Sequence, residues 1–507
     1  MKSIVKLKKK YSRLHWYQQQ SAVKPFYVGT PWQACCGFSY RGKRIRLDYR
    51  PFGVYFFKDF FYCNFSTEVF KKVADFYWHK ELKSPGNVRR LMNRWKKIEV
   101  SRLKKEISVI ESSDLRLFPD LKFATALRDF LRVYMEFWRE SIFLDSFDVM
   151  SDVILEQALE KEKNQPHARE LQVLVSPESL SWLQREKTEL LALISEIKKD
   201  KKEWKLFIRQ CFKSRQDGIR PAKIVQMLMR HAKEYHWLLN DYAIIRHLDW
   251  KYFCRQALSL AGNPKKIVQE FQALGQVRKI KLQKGKIMKK LKLSPDFKVA
   301  LNFLVALAEW RDWRKALNQR STAVLEKFAM EISRRLGWKK IETEYIWWEE
   351  ARNFSRLSQA WRQLARKRRR GMFINGSYLQ PIAYGRPALA LDKFMNKMLK
   401  HEGELTGRTA YHGLVRGRAK IVRTQKDFKK MKPGDILIAP NTRPEYVPIM
   451  KIAGAIVSEE GGLTCHTAIV ARELKIPAVV GVQGIMTRLK DGDQIEVNAN
   501  SGVIKKV

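Results

Sequence analysis

From about residue 65 to residue 365 apolar side chains recur at helical spacing, and no other feature limits the fold as much. Phe303, Leu307, Trp310, Trp313 and Leu317 follow one another at steps of three and four. Leu325, Phe328, Ile332 and Leu336 do the same, and Gly337 follows as a C-cap. Ser176-Pro177-Glu178 reads as an N-cap with proline at the first helical position, ahead of Leu183, Leu190, Ile194 and Ile197. No repeat of fixed period joins these stripes, so an irregular bundle is expected and not a solenoid. Its Trp and Met residues read most simply as core.

The flanks have a different texture. Residues 1–80 alternate aromatics with turn residues, as in Gly53-Val54-Tyr55-Phe56-Phe57, and read as a small α+β region with Arg41-Gly42-Lys43 at a hairpin tip. Aromatics interleaved with Arg and Lys there fit either a core or base stacking. The basic α-helical body is expected over 81–370 and closes on Arg366-Lys367-Arg368-Arg369-Arg370. Asn375-Gly376, Pro381, Gly385 and Pro387 then mark 371–404 as a linker or hinge, with a helix near Leu389 to Leu399. From 405 to 507 short β-runs and glycines indicate a compact mixed α/β domain. Its strands are expected at Gly413–Val422, Ile436–Ile438, Ala455–Val457 and Pro477–Gly481, with a closing hairpin over Gln494–Val497 and Val503–Lys506.

The chain of 507 residues is long enough for two to four domains. Its formal net charge is +47; 17 basic and 11 acidic residues from His401 onward leave +41 on the first 400 residues. A basic body permits nucleic acid or another anionic partner, although charge spread over many helices is more simply a set of solvated faces. Six cysteines without a CxxC pair argue for reduced thiols and no metal site. Met1 to Lys10 is basic but no apolar segment follows, and no run approaches the ~18 apolar residues of a membrane span. A cytoplasmic protein is expected.

One stretch carries chemistry: Glu459-Glu460-Gly461-Gly462-Leu463-Thr464-Cys465-His466-Thr467-Ala468-Ile469-Val470-Ala471-Arg472. Two glycines follow a strand-like run, and a histidine stands where a loop becomes a helix. The first amides of a helix lack partners within it and its dipole is positive there, so anions bind well. Gly461 and Gly462 let the backbone approach closely. Amides from Gly462 to Thr467, with the hydroxyls of Thr464 and Thr467, can surround phosphoryl oxygens. A neutral imidazole is a competent nucleophile, so His466 is the candidate phosphoryl carrier. Cys465 is the second candidate nucleophile, without an obvious activating base.

The run Gly461 to Gly481 closely resembles the phosphohistidine segment of the phosphoenolpyruvate-utilising enzymes, which include phosphoenolpyruvate synthase, pyruvate phosphate dikinase and rifampin phosphotransferase. Ala439-Pro440-Asn441-Thr442-Arg443-Pro444 resembles that family's approach to the site. The resemblance covers roughly residues 405–507. It implies a swivelling β/β/α domain whose histidine takes a phosphoryl group from ATP at an ATP-grasp domain and delivers it elsewhere. Carried over, His466 is the carrier, Arg472 belongs to the motif, and Thr464 matches a threonine that regulatory kinases modify in some relatives. Tyr411-His412-Gly413 stands where relatives often have a Ser-Pro-Gly-like turn. Nothing in 1–400 reads as an ATP-grasp domain, and no (β/α)8 barrel follows.

The expected fold is therefore multi-domain α+β, a large irregular helical body followed by a C-terminal swivelling phosphohistidine domain. The leading function is a phosphotransferase component with no cofactor or metal of its own, ATP and Mg entering through an ATP-grasp partner in trans. Two alternatives are a regulatory protein that binds nucleic acid or another anion, and a transferase acting on a small hydrophobic acceptor; the small-molecule partner expected is a pyruvate-like or hydrophobic acceptor. No membrane partner is expected.

Overall fold

The two stripes read around Phe303 and Leu325 lie on one helix, Pro295–Leu336. Ser294 caps it by accepting the Phe297 N–H, proline occupies its first turn, and Gly337 ends it at φ +64°. In this computed structural model the described residues are 11, 16–22, 24–36, 39–40, 42–45, 47, 49–50, 52–57, 60–197, 199–212, 223–240, 245–262, 264–351, 353, 356–375, 380–399, 404–442, 446–462 and 465–507. The chain is mostly helical, with two larger sheets and the hairpin pair Ser39–Tyr40 and Lys43–Arg44. No helix among the described residues is long and apolar enough to cross a membrane.

The first large sheet is antiparallel, in the order Trp16–Ala22, Phe60–Ser66, Phe52–Phe57, Met372–Asn375, Gln380–Tyr384. Successive side chains of a strand alternate between faces. Val54, Phe56, Met372 and Ile374 enter a core shared with the helical body. Tyr55 and Phe373 point the other way, onto Leu391 and Met395 of the helix Arg386–Leu399. The stretch expected as a linker, 371–404, is thus corrected: it supplies two strands and a covering helix. Its Pro381 misled because proline, lacking an N–H, is tolerated on an edge strand, here opposite a register shift at Phe373/Ile374. The region 1–80 is no separate unit either, since its Tyr49, Phe65 and Phe70 share one apolar core with Phe143, Phe303 and Trp310. Tyr49 packs 5.3 Å from Phe65 and 4.9 Å from Phe70, ring to ring, which gives these aromatics a core role.

A second helical group has its own core. Helices Trp182–Ile197, Lys201–Phe212, Lys223–Tyr235 and Trp250–Ala261 bury Leu191, Phe207, Leu228 and Phe253, and meet the long helix at Ala316. The N-cap expected at Ser176 is corrected as well: Ser176 closes the helix Ala168–Val175. The next helix is capped by Ser181, whose Oγ accepts from Gln184 N while its own N–H donates to Gln184 Oε1. Several of the cations are engaged within the body. Arg368 forks onto Glu350 at 2.6 Å through both Nη atoms, Arg362 and Arg366 hold Glu342, and Lys290 reaches Glu170.

The second large sheet has eight strands, ordered Leu405–Thr406, Val503–Lys506, Gln494–Asn498, Leu414–Ile421, Ile436–Ala439, Ala455–Ser458, Ala478–Val480, Arg408–Tyr411. Its centre is parallel, with Ile438 opposite Ile421 and Val457. The two edge strands are consecutive in the chain and joined through Gly407, so the sheet curls until its edges meet. A Cβ on Gly407 would lie 2.6 Å from Val482 Cγ2 and 2.7 Å from the Val480 carbonyl, which leaves room for glycine alone.

Candidate functional site

The strand Ala455–Ser458 is buried throughout and ends in the Glu459–Gly462 turn. The Glu459 and Glu460 amides donate to the carbonyls of Ala439 and Pro440, which hangs the turn on the neighbouring strand end. Gly461 is at φ +107°, a conformation that favours glycine. Cys465 is the N-cap of the helix His466–Leu474: its backbone is extended, and its Sγ accepts the Ala468 N–H at 3.5 Å. His466 is thus the first residue of that helix, where sequence reasoning put it. Its side chain, and all of Leu463 and Thr464, lie outside the described residues, as do Arg443 to Glu445.

The remaining candidates divide. Thr467 is buried and its Oγ1 lies 3.0 Å from that of Thr442, a bond that fixes the first helical turn against the 439–442 segment. Arg472 donates from Nε to the Ala410 carbonyl at 3.1 Å, and burial above all pushes its guanidinium pKa down. Burial likewise pushes the Cys465 thiol up, against the hydrogen bonds from Ala468 and Thr467. A thiol pushed up in pKa and engaged as a cap is a poor nucleophile. Asn441 Nδ2 donates to Glu460 Oε2 at 3.0 Å. Among the described residues no group of three or more His, Cys, Asp or Glu is arranged to hold a metal ion.

Sequence reasoning missed the neighbours supplied by the body. Asp152, on the helix Phe147–Glu160, places its carboxylate where a Cβ on Gly462 would stand. The same carboxylate acts on the charges of Cys465 and Arg472 and pairs with Arg408 at 2.5 Å. Arg408 also reaches Glu156 at 3.4 Å. On the other flank, burial, then Glu460, Asp148 and Asp145, push the Tyr17 hydroxyl far up. The glycine turn therefore packs against the Asp152 helix, and its Glu460 acts electrostatically on Tyr17 of the first sheet. No local signal distinguishes Asp152 from the other acids of the chain.

Residues 431–502 match the family model of the PEP-utilising enzyme mobile domain. The glycine turn and the His466 helix lie inside that span. Over 100 residues the chain is 45% identical to a probable phosphoenolpyruvate synthase of Archaeoglobus fulgidus, covering 20% of this chain and 13% of that protein. It is 48% identical over 106 residues to the phosphoenolpyruvate synthase of Aeropyrum pernix, covering 20% and 13%. With the Escherichia coli phosphoenolpyruvate synthase it shares 44% identity over 96 residues, 19% and 12% of the two chains. The chain thus spans about an eighth of the length of these relatives, and its C-terminal part is homologous to them.

Proposed function

We propose that this chain is a phosphotransferase component whose His466 carries a phosphoryl group. One observation carries the reading: a histidine opens the helix that follows a Gly-Gly turn, inside a span that matches the PEP-utilising mobile domain. A neutral imidazole nitrogen attacks phosphorus, a P–N bond forms, and the donor's P–O bond breaks. The helix N-terminus and the amides beside Gly462 stabilise the oxygens of the transferred group. The donor in this reading is ATP with Mg, bound by an ATP-grasp partner in trans. The acceptor is a small molecule, pyruvate-like or hydrophobic.

Swivelling has its own support. The body meets the C-terminal domain through charged and polar groups, Arg408 with Asp152 and Glu156 and Tyr62 with Arg423. Polar interfaces of this kind come apart more readily than apolar cores. The test is incubation of the full chain with labelled ATP and a purified ATP-grasp partner. Acid-labile, alkali-stable label that His466→Ala abolishes is expected. Label that survives the substitution, or none with any such partner, overturns the reading.

A further inference from the structure

Away from the C-terminal domain, the second helical group and the long helix border an open cavity of about 610 Å³, within the size range of small-molecule sites. Leu248, Trp250 and Val324 give it an apolar wall. Three carboxylates line it as well, and each is engaged. Arg320 clamps Glu111 from Nε at 3.1 Å and Nη2 at 2.8 Å. Glu326 pairs with Lys340. Asp249 Oδ1 accepts the Tyr252 N–H at 2.9 Å and so caps the helix Trp250–Ala261.

The cations of the lining are placed differently. Lys233 and Arg246 are exposed, and among the described residues neither lies within ion-pair distance of a carboxylate. Lys327 donates from Nζ to the carbonyls of Ile110, Glu111 and Ser113, and it too has no carboxylate at that distance among the described residues. His236 and His247 also line the cavity, and protonation of either adds positive charge only. The uncommitted charge beside the apolar wall is therefore positive. A guanidinium fork matches a carboxylate in geometry, and an ammonium adds a second point of attraction. We propose that this cavity binds a small organic carboxylate with an apolar, ring-containing body. The body lies against Leu248, Trp250 and Val324, and Arg246 and Lys233 hold the carboxylate. The site stands apart from the glycine turn and needs no role for His466. Arg311 pairs with Asp148 of the Asp152 helix and Ala323 lines the cavity, a separation of roughly 18 Å along the long helix.

The experiment is calorimetric titration of the full chain with 2-naphthoate and with 2-naphthamide, which has the same rings and no charge. Saturable 1:1 binding of 2-naphthoate, about tenfold tighter than the amide at low salt, is expected. The double substitution Lys233→Gln and Arg246→Gln, both at exposed positions, brings the two affinities together. Trp250→Ala weakens both by about tenfold. Lys286→Gln with Lys289→Gln removes two exposed charges from the helix Pro264–Leu291, outside the lining, and leaves the preference intact. Absence of saturable 2-naphthoate binding overturns the proposal, as does a preference that persists without Lys233 and Arg246. Equal loss of the preference in the Lys286 and Lys289 variant overturns it too, since net charge alone then attracts the anion. So does a 2-naphthoate affinity that Trp250→Ala leaves unchanged.

Discussion

Oδ2 of Asp152 lies 2.5 Å from Nη1 of Arg408, an ion pair that crosses from the helical body to the C-terminal domain. The carboxylate it fixes also fills the space over Gly462. Docking of the body and the shape of the glycine turn are therefore one arrangement.

Substituting Gly462→Ala forces that carboxylate aside. The C-terminal domain is expected to undock, measured as faster limited proteolysis between the body and residue 405. Asp152→Ala in the same chain removes the obstacle and restores most of the protection. Alone, Asp152→Ala costs about 0.5–1 kcal/mol, because Arg408 is one-third exposed and water screens the pair. Equal proteolysis of wild type and Gly462→Ala would contradict this arrangement.

Cys465 acts through its cap. Cys465→Ser keeps a side-chain acceptor for the Ala468 N–H and is expected to retain histidine-type phosphate label at or near the wild-type level. Cys465→Ala loses the cap at about 1 kcal/mol, read by chemical denaturation. Loss of label in Cys465→Ser would return the thiol to candidacy.

Glu140 sets a pH dependence of stability. Burial first, and then the neighbouring Glu99, raise its carboxyl to about 7, while the Gly42 N–H at 2.7 Å and Arg94 pull it down. The unfolded value is about 4.3. The folded chain thus holds a proton that the unfolded chain has released, so stability falls as pH rises from about 4.3 to about 7. Glu140→Gln keeps an acceptor for Gly42 and is expected to flatten the Tm profile across that interval. A profile unchanged by the substitution would refute the assignment.

Ile374 tests whether the stretch after the helical body belongs to the fold. It is fully buried in the core shared by the first sheet and the helices. Ile374→Ala is expected to lower the stability of the helical body by about 2–5 kcal/mol, seen as a shift of its far-ultraviolet unfolding transition. An effect confined to local proteolysis near residue 374 would instead restore the linker reading.

The legible parts of this fold are those whose signals are local. Stripes ending at Leu336 and the αL glycine after them announce a helix and its end, although nothing between Leu317 and Leu325 said that two stripes were one helix. In the C-terminal domain, short buried strands bounded by Gly and Pro could be placed, because each is specified within a few residues. The pairing of Gly53–Phe56 with Met372–Asn375 could not, since it joins segments some three hundred residues apart. For the same reason the glycine turn and the position of His466 were legible, and the Asp152 carboxylate opposite them was not.

The closure at Gly407 has a further consequence. Leu405 and Thr406, where the chain enters the C-terminal domain, pair with Ile504 and Val503 of its last strand. Both backbone ends of the domain are therefore stitched side by side. A unit with its two ends at one place is a cassette: a host chain can carry it without having its own sheets torn apart. That geometry suits a segment of about a hundred residues that recurs as an eighth of much longer relatives.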